Sequence, residues 1–386
     1  MLSSPPAPYG SAYHSPVMLE ECLSYLPPSP GHSSPGHARL LRKQRVPKPD
    51  PARPLVAADL TLGGGGHSEA ILERLGGDRL GGGGLLLGFD QDAEAIEAAT
   101  ARLRSSPHYR SDPPSFLAER CNFKDVEASP LFLEHGPLDY VLLDLGVSSH
   151  QIDEAERGFT YREDGPLDMR MSATTKLTAA DIVNTYPAAS LAALFTQHGD
   201  EPPGTARRIA ASVEASRPHL TTGSLREAVA AVTPEWHKSS PRKGLVKTLS
   251  RVFQALRVVV NDEEKALEKV LGLLPRIVRP GGVVVFLTFQ SMEDRMVKRS
   301  LRDSVWKAGG GIGLGDKRDR ERTDQFGNKV TPYVWDVVGS GAGGKKEEIE
   351  RNRRARSARM RVAVLRGWEG GEEEGGGGVG GRGGSS

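Results

Sequence analysis

Cysteine is almost missing: Cys22 and Cys121 are the only two in 386 residues, and they lie far apart. That excludes a disulfide framework and a thiolate metal cluster, so no metal is expected, and it points to a reducing compartment. Long apolar runs are missing too. The longest, Gly282 to Phe289, has the length of a strand, far short of the roughly 20 residues a membrane span needs. Charge of one sign is in short supply: 51 Lys and Arg stand against 49 Asp and Glu, a formal +2. A chain held on nucleic acid by bulk charge alone is thereby excluded, and any basic surface has to be local.

What the chain has in quantity is glycine, 46 residues, beside 27 prolines. The Gly367 to Ser386 tail has almost nothing to bury and reads as flexible, and the Leu80 to Gly84 run reads as a relaxed surface loop. Gly63 to Gly66 differs, because a strand-like segment, Leu55 to Leu60, precedes it and a helix-like one follows. There, glycines let a ligand approach the backbone and helix N–H groups face it. The segment Pro27 to Pro54 is rich in Pro, Ser and basic residues without apolar periodicity, and is expected to be a disordered insertion.

From Leu55 onward strands alternate with helices: strands at Leu55 to Leu60, Leu85 to Asp90, Ser115 to Glu119 and Leu138 to Leu143, with helices at Ser68 to Leu75 and Ala93 to Arg104. Such alternation predicts an α/β fold with a mostly parallel sheet covered on both faces. Helical spacing takes over from Ala179 to Val232, and a helix Val252 to Leu274 followed by a strand Val283 to Phe289 resumes the sheet. The predicted organisation is an N-terminal motif with its insertion over 1–54, a discontinuous α/β domain over 55–154 and 251–364, a helical insertion over 155–250, and a disordered tail over 365–386.

Three constellations carry chemistry. Asp90 ends the strand after the glycine loop, where an acid suits the two hydroxyls of a ribose. A capping role for Asp90 competes with this, as does Asp92 for that capping role. No Lys-Ser or Lys-Thr follows the glycines, which disfavours a P-loop and leaves a dinucleotide or S-adenosylmethionine open. Asp144-Leu-Gly-Val-Ser-Ser149 follows the strong strand signal Tyr140 to Leu143, placing a second carboxylate at the same sheet edge. The stretch from Gly158 to Met171 is turn-forming yet holds Phe159, Tyr161 and Arg170, an expected platform for an unstacked base. Ordinary loop anchoring is the competing reading. Basic clusters at Arg295, Lys298, Arg299 and Arg302 and between Arg351 and Arg361, including Arg356, are candidates for phosphate contact.

Taken together, His14-Ser-Pro-Val-Met-Leu-Glu20, the Gly63 to Ser68 loop, Asp144 to Ser149, Glu156-Arg-Gly-Phe159, Asp164-Gly-Pro-Leu-Asp-Met-Arg-Met171, Phe253-Gln-Ala-Leu-Arg257, Val260-Asn-Asp262, Pro280-Gly-Gly282, Glu293-Asp-Arg295, Val297-Lys-Arg299 and Ala355-Arg-Ser357 resemble the RsmH (MraW) family. Its members are S-adenosylmethionine-dependent methyltransferases of the N4 amine of a cytidine in small-subunit ribosomal RNA. The resemblance implies a Rossmann-like class I methyltransferase fold with an inserted helical domain. It also implies small-subunit rRNA or the assembling subunit as partner, no membrane, and S-adenosylmethionine as cofactor. The cofactor contacts it implies are Gly65, Gly66 and His67 at the methionine moiety, Asp90 at the ribose, Phe123 at the adenine, Asp144 near the reacting centre and Gln151 beyond it. Asp144 is the expected acceptor for the amine. The chain departs from the family at Gln290, where His is usual, and at Asp59-Leu-Thr-Leu-Gly63, usually Asp-Gly-Thr-Phe-Gly. The first departure keeps a catalytically idle rRNA-binding assembly factor open, and an NAD-dependent oxidoreductase is the alternative from another class. The Pro- and Gly-rich insertions suggest a plastid or mitochondrion, with bacterial cytoplasm as alternative; a homodimer is left open.

Overall fold

The structure, a computed structural model, describes residues 16–27, 34–42, 53–76, 83–233, 241–307, 312–315 and 333–367. The strands are β1 Val56–Asp59, β2 Leu85–Asp90, β3 Phe116–Arg120, β4 Leu138–Asp144, β5 Val278–Thr288, β6 Ser304–Trp306, β7 Ile312–Leu314, β8 Trp335–Gly343 and β9 Arg359–Leu365. The helices on the sheet are α1 Leu19–Leu23, α2 Pro35–Arg42, α3 Gly66–Leu75, α4 Ala93–Ser105, α5 Pro130–His135 and α6 Ser149–Asp153. A helical module follows with α7 Ala179–Thr185, α8 Ala188–Gly199, α9 Pro203–Ala215, α10 Thr222–Ala231 and α11 Pro241–Val260, and then come α12 Glu263–Ile277, α13 Ser291–Asp303 and α14 Lys346–Arg351.

The main sheet runs β3-β2-β1-β4-β5-β9-β8. The pairs from β3 to β5 are parallel and β9 is antiparallel to both its neighbours. The period-2 alternation of strands explains why both faces are covered. Ala57, Tyr140, Leu142, Val283 and Val285 pack on one face with α1, α3 and α4, while Ala58, Val141, Leu143, Val284 and Phe286 pack on the other with α12 and α13. A third core, Phe159 to Val260, belongs to the helical module alone. Among the described residues no helix is long and apolar enough to cross a membrane.

Two expectations need correction. The Pro27 to Pro54 segment is not featureless: α2 forms within it, and Leu40 is fully buried in the same core as α3. One buried leucine anchors a helix too short to show periodicity in a Pro-rich background. The rest of that segment at 28–33 and 43–52, like the tail from 368 on, lies outside the described residues. The expected single helix Val252 to Leu274 is two helices. The chain breaks at Asn261-Asp262, where Asp262 takes a left-handed φ of 50°. Upstream, Val252, Phe253, Leu256 and Val260 pack into the helical module; downstream, Leu267, Val270 and Leu274 pack on the sheet. The module therefore extends past the expected boundary at 250.

Candidate active site

The carboxyl ends of β1, β2, β4 and β5 open on one cleft of about 1000 Å³, with the first turn of α13 and the Arg351 to Ser357 segment on its other side. Parallel pairing aligns these ends: Asp59 lies opposite Gly88 and Leu142, and Asp144 opposite Leu287. Open α/β sheets gather ligands at this edge.

The glycine loop is the near wall. Gly63 and Gly65 have φ of +48° and +75°, left-handed values that favour glycine, and Gly63, Gly64 and Gly66 line the cleft. Gly65 does not line it; it caps α3 and packs toward Ala99. Asp90, at the end of β2, accepts hydrogen bonds from Gly63 N at 2.8 Å and Asp92 N at 2.9 Å, one on each carboxylate oxygen. Each oxygen keeps a second lone pair for a diol. Burial pushes the Asp90 carboxyl up to about 6 against the pull of those two amides. The capping of α4 falls to Asp92, which accepts from Glu94 N.

Asp144 stands at the foot of the cleft. Its backbone N–H donates to Thr61 Oγ1 at 2.6 Å, its Oδ2 lies 3.5 Å from His67 Nδ1, and its Oδ1 is buried without a hydrogen-bond partner. Burial pushes its carboxyl up to about 6, with the His67 ring opposing and Asp59 reinforcing the rise. His67 is buried, and its Nε2 lies 2.9 Å from the Val17 carbonyl. A carbonyl only accepts, so Nε2 carries hydrogen and Nδ1 faces Asp144. The N-terminal segment thus orients the ring, and Pro16 and Val17 also line the cleft; His14 lies outside the described residues.

Phe123 and Gln151 both line the cleft. Phe123 follows β3 beside Asn122, whose amide donates to Gln91. Gln151 is a strut: its Oε1 accepts from Ser148 N and its Nε2 donates to Asp92 Oδ2 at 2.9 Å, tying the loop after β4 to α4.

The expected base platform is not at the cleft. Phe159 is buried in the helical module with the Arg157 guanidinium over its ring at 5.9 Å. Tyr161 stacks edge-on to Phe253 at 5.4 Å and shares a hydrogen bond with Ser250. Arg170 is ion-paired with Asp168 at 2.7 Å and donates to Thr175 O. The turns between β4 and α7 give Phe159 to the module's core and pack Tyr161 against it, while Asp168 holds Arg170, an arrangement that accords with loop anchoring, the competing reading. From the same stretch only Arg162 and Met171 reach the cleft. Arg295, Lys298 and Arg299 are exposed along α13 and Arg356 is exposed after α14, while Arg354 lines the cleft.

Residues that the sequence marked only as motif members, with no role in the site, complete the far wall. Glu293 is buried, accepts from Phe289 N and Gln290 N, and is pushed up to about 7 by burial against the pull of Arg257. Arg257 is itself held by both oxygens of Glu263 at 2.7 and 2.8 Å. Phe253-Gln-Ala-Leu-Arg257 and Glu293-Asp-Arg295 stand about 40 residues apart in the chain, and only the turn at Asn261 brings them together.

The cleft's donor set fits a nucleoside-bearing sulfonium compound: a glycine cradle, a diol acceptor and an unsatisfied buried carboxylate oxygen at one edge. Comparison with known proteins agrees. Residues 11–366 match the MraW methylase family. The chain is 39% identical to a "Ribosomal RNA small subunit methyltransferase H" of Chlorobium phaeovibrioides over 366 residues, covering 91% of this chain and 96% of that one. It is 41% identical to the protein of that name from Chlorobaculum parvum, covering 80% and 92%, and 38% identical to that of Bacteroides thetaiotaomicron, covering 79% and 89%. A solved structure of a "putative rRNA-methylase" from Clostridium thermocellum aligns with 11% identity and a TM-score of 0.32 over 86% of this chain and 98% of that one, too distant to bear on the argument.

Proposed function

The chain belongs to the MraW methylase family, and we propose on that premise that it transfers a methyl group from S-adenosylmethionine to the N4 amine of a cytidine in small-subunit ribosomal RNA, with Asp144 at the reacting centre. One observation carries the assignment of Asp144: a carboxylate at the sheet edge whose Oδ1 is buried and unpaired in the cleft.

The cofactor supplies an electrophilic methyl on a sulfonium. This chain's residues do the rest. The Gly63, Gly64 and Gly66 backbone and His67 would hold the methionine end, Asp90 the ribose hydroxyls and Phe123 with Asn122 the adenine. A cytosine amine is a weak nucleophile because its lone pair is delocalised into the ring. An acceptor that holds its N–H and aims nitrogen at the methyl, about 3 Å away, provides orientation and a proton sink. Asp144 Oδ1 is placed for both. With a carboxyl near 6, it takes a proton during transfer and returns it to water at neutral pH.

An idle assembly factor gains nothing from an unpaired buried carboxylate oxygen, which costs stability; this favours the enzyme reading. The relatives are bacterial proteins, so the proposed substrate is a small subunit of bacterial type, in a bacterial cytoplasm or in a plastid or mitochondrion. The test is mass spectrometry of small-subunit rRNA nucleosides after incubation with S-adenosylmethionine and the wild-type chain or Asp144→Ala. N4-methylcytidine formed by wild type and lost in the variant is expected; equal yields would remove Asp144 from the mechanism.

A further inference from the structure

Gln290 follows β5 and heads α13. It is 8% exposed, lines the cleft, and its Oε1 is buried with no hydrogen-bond partner. Glu293 accepts from the Gln290 backbone, and the Gln290 side chain lies toward the Glu293 backbone N–H in the arrangement of a capping box, but that arm does not close as a hydrogen bond and leaves Oε1 without a partner. Buried acceptors are normally paired, so one left open in a cleft points to a ligand donor. The cleft holds a second open acceptor, Asp144 Oδ1. The two come from neighbouring strands: Asp144 pairs with Leu287, and Leu145 N donates to Leu287 O at 3.0 Å. Gln290 is three residues beyond that pairing.

A primary amine has two N–H bonds, and this cleft presents two unpaired acceptors at adjacent strand ends. We propose that Gln290 Oε1 accepts the N4 hydrogen that is retained, while Asp144 Oδ1 accepts the one that leaves. This inference rests on the proposed function and names a second substrate-contacting residue in it. In the step, the N4 lone pair forms the bond to the methyl carbon. The carbon–sulfur bond breaks with its electron pair going to sulfur, and one N4 proton passes to Asp144. Gln290 keeps its hydrogen bond throughout and fixes the nitrogen's direction. The pair also selects against uracil, whose 4-position is a carbonyl. A carboxamide can flip to donate, but an ionised carboxylate cannot, so an acceptor would face an acceptor.

The test compares the full chain with Gln290→Met, similar in length but lacking the acceptor, and Gln290→His, whose unprotonated ring nitrogen can accept. Initial rates of N4-methylcytidine formation in small-subunit RNA are read by nucleoside mass spectrometry, with S-adenosylhomocysteine affinity and Tm measured alongside. Gln290→Met is expected to lower kcat roughly 10- to 100-fold with affinity and Tm held, and Gln290→His to stay within about fivefold of wild type above pH 7.5. Gln290→Met at the wild-type rate overturns the inference. If Gln290→Met also lowers Tm, Gln290→His decides: retained rate supports the inference and a loss equal to that of Gln290→Met overturns it. A wild-type chain that forms no N4-methylcytidine overturns the proposed function and this inference with it, whereas an active wild type with an equally active Gln290→Met overturns the inference alone.

Discussion

Asp144 concentrates opposing demands on one side chain. Its carboxyl is pushed to about 6 from an ordinary value near 4 because burial penalises the anion. Catalysis needs the anion. The methylation rate under saturating substrate is therefore expected to rise with pH through about 6 and to level off above 7, so a flat profile from pH 5 to 8 would exclude Asp144 as the acceptor. Stability runs the other way. With the folded value above the unfolded one, the folded state holds a proton that the unfolded state has released between about pH 4 and 6. Stability falls across that window, and the cost is fully present at neutral pH. Replacing Asp144 with Asn should lower methylation by about 100-fold or more while raising stability at pH 7 by about 1 to 2 kcal/mol, read by urea melts. The legibility of this residue came from position: a charged residue directly after the run Tyr140 to Leu143 is conspicuous in sequence, as is Asp90 at the end of β2. Gln290 was legible only as a departure from a family pattern. Whether a buried amide oxygen has a partner depends on atoms brought together from other elements.

Among elements, the turn into the helical module is decided by single residues. Gly158 has φ +75°, and a Cβ there would lie 2.2 Å from Pro166 O and 2.7 Å from Asp168 N. Gly158→Ala cannot be absorbed by a side-chain shift, because the obstacles are backbone. A loss of about 2 kcal/mol or more is expected, measured as a lower urea midpoint, and a midpoint equal to wild type would refute the packing described. Asn261 does comparable work at the other end of the module. Its Oδ1 accepts from Met171 N and its Nδ2 donates to Met169 O, clamping the Asp164 to Met171 octapeptide to the break between α11 and α12. Two placements here were not legible in the sequence, for one reason. Apolar spacing continues smoothly from Val252 to Leu274 and aromatic content marks Phe159 and Tyr161, but spacing and content do not say which of two cores receives a side chain. The break and the aromatics are both consequences of a module with its own core.

For the molecule as a whole, the near balance of charge conceals an exposed basic row on α13 at Arg295, Lys298 and Arg299. The first turn of the same helix lines the cleft, so RNA held along this row would enter beside the reacting centre. Reversing all three residues to Glu is expected to weaken binding of small-subunit RNA and to reduce the slope of log affinity against log salt by about 2 to 3, leaving S-adenosylhomocysteine affinity unchanged. Filter binding across a salt series checks this; an unaltered slope would move the RNA path elsewhere. The composition, poor in cysteine and long apolar runs and rich in glycine, bounded the class of protein. The order of strands, the glycine loop and the acids at strand ends then determined an α/β methyltransferase of the MraW family and half of its site, because those signals are local: a turn, a strand end, a cap. The other half was decided only in three dimensions. Pro16 and Val17 behind the cofactor-side wall, Glu293 against Arg257, and the two open acceptors of Asp144 and Gln290 depend on parallel pairing and on the break at Asn261. No periodicity encodes contacts between segments that far apart in the chain.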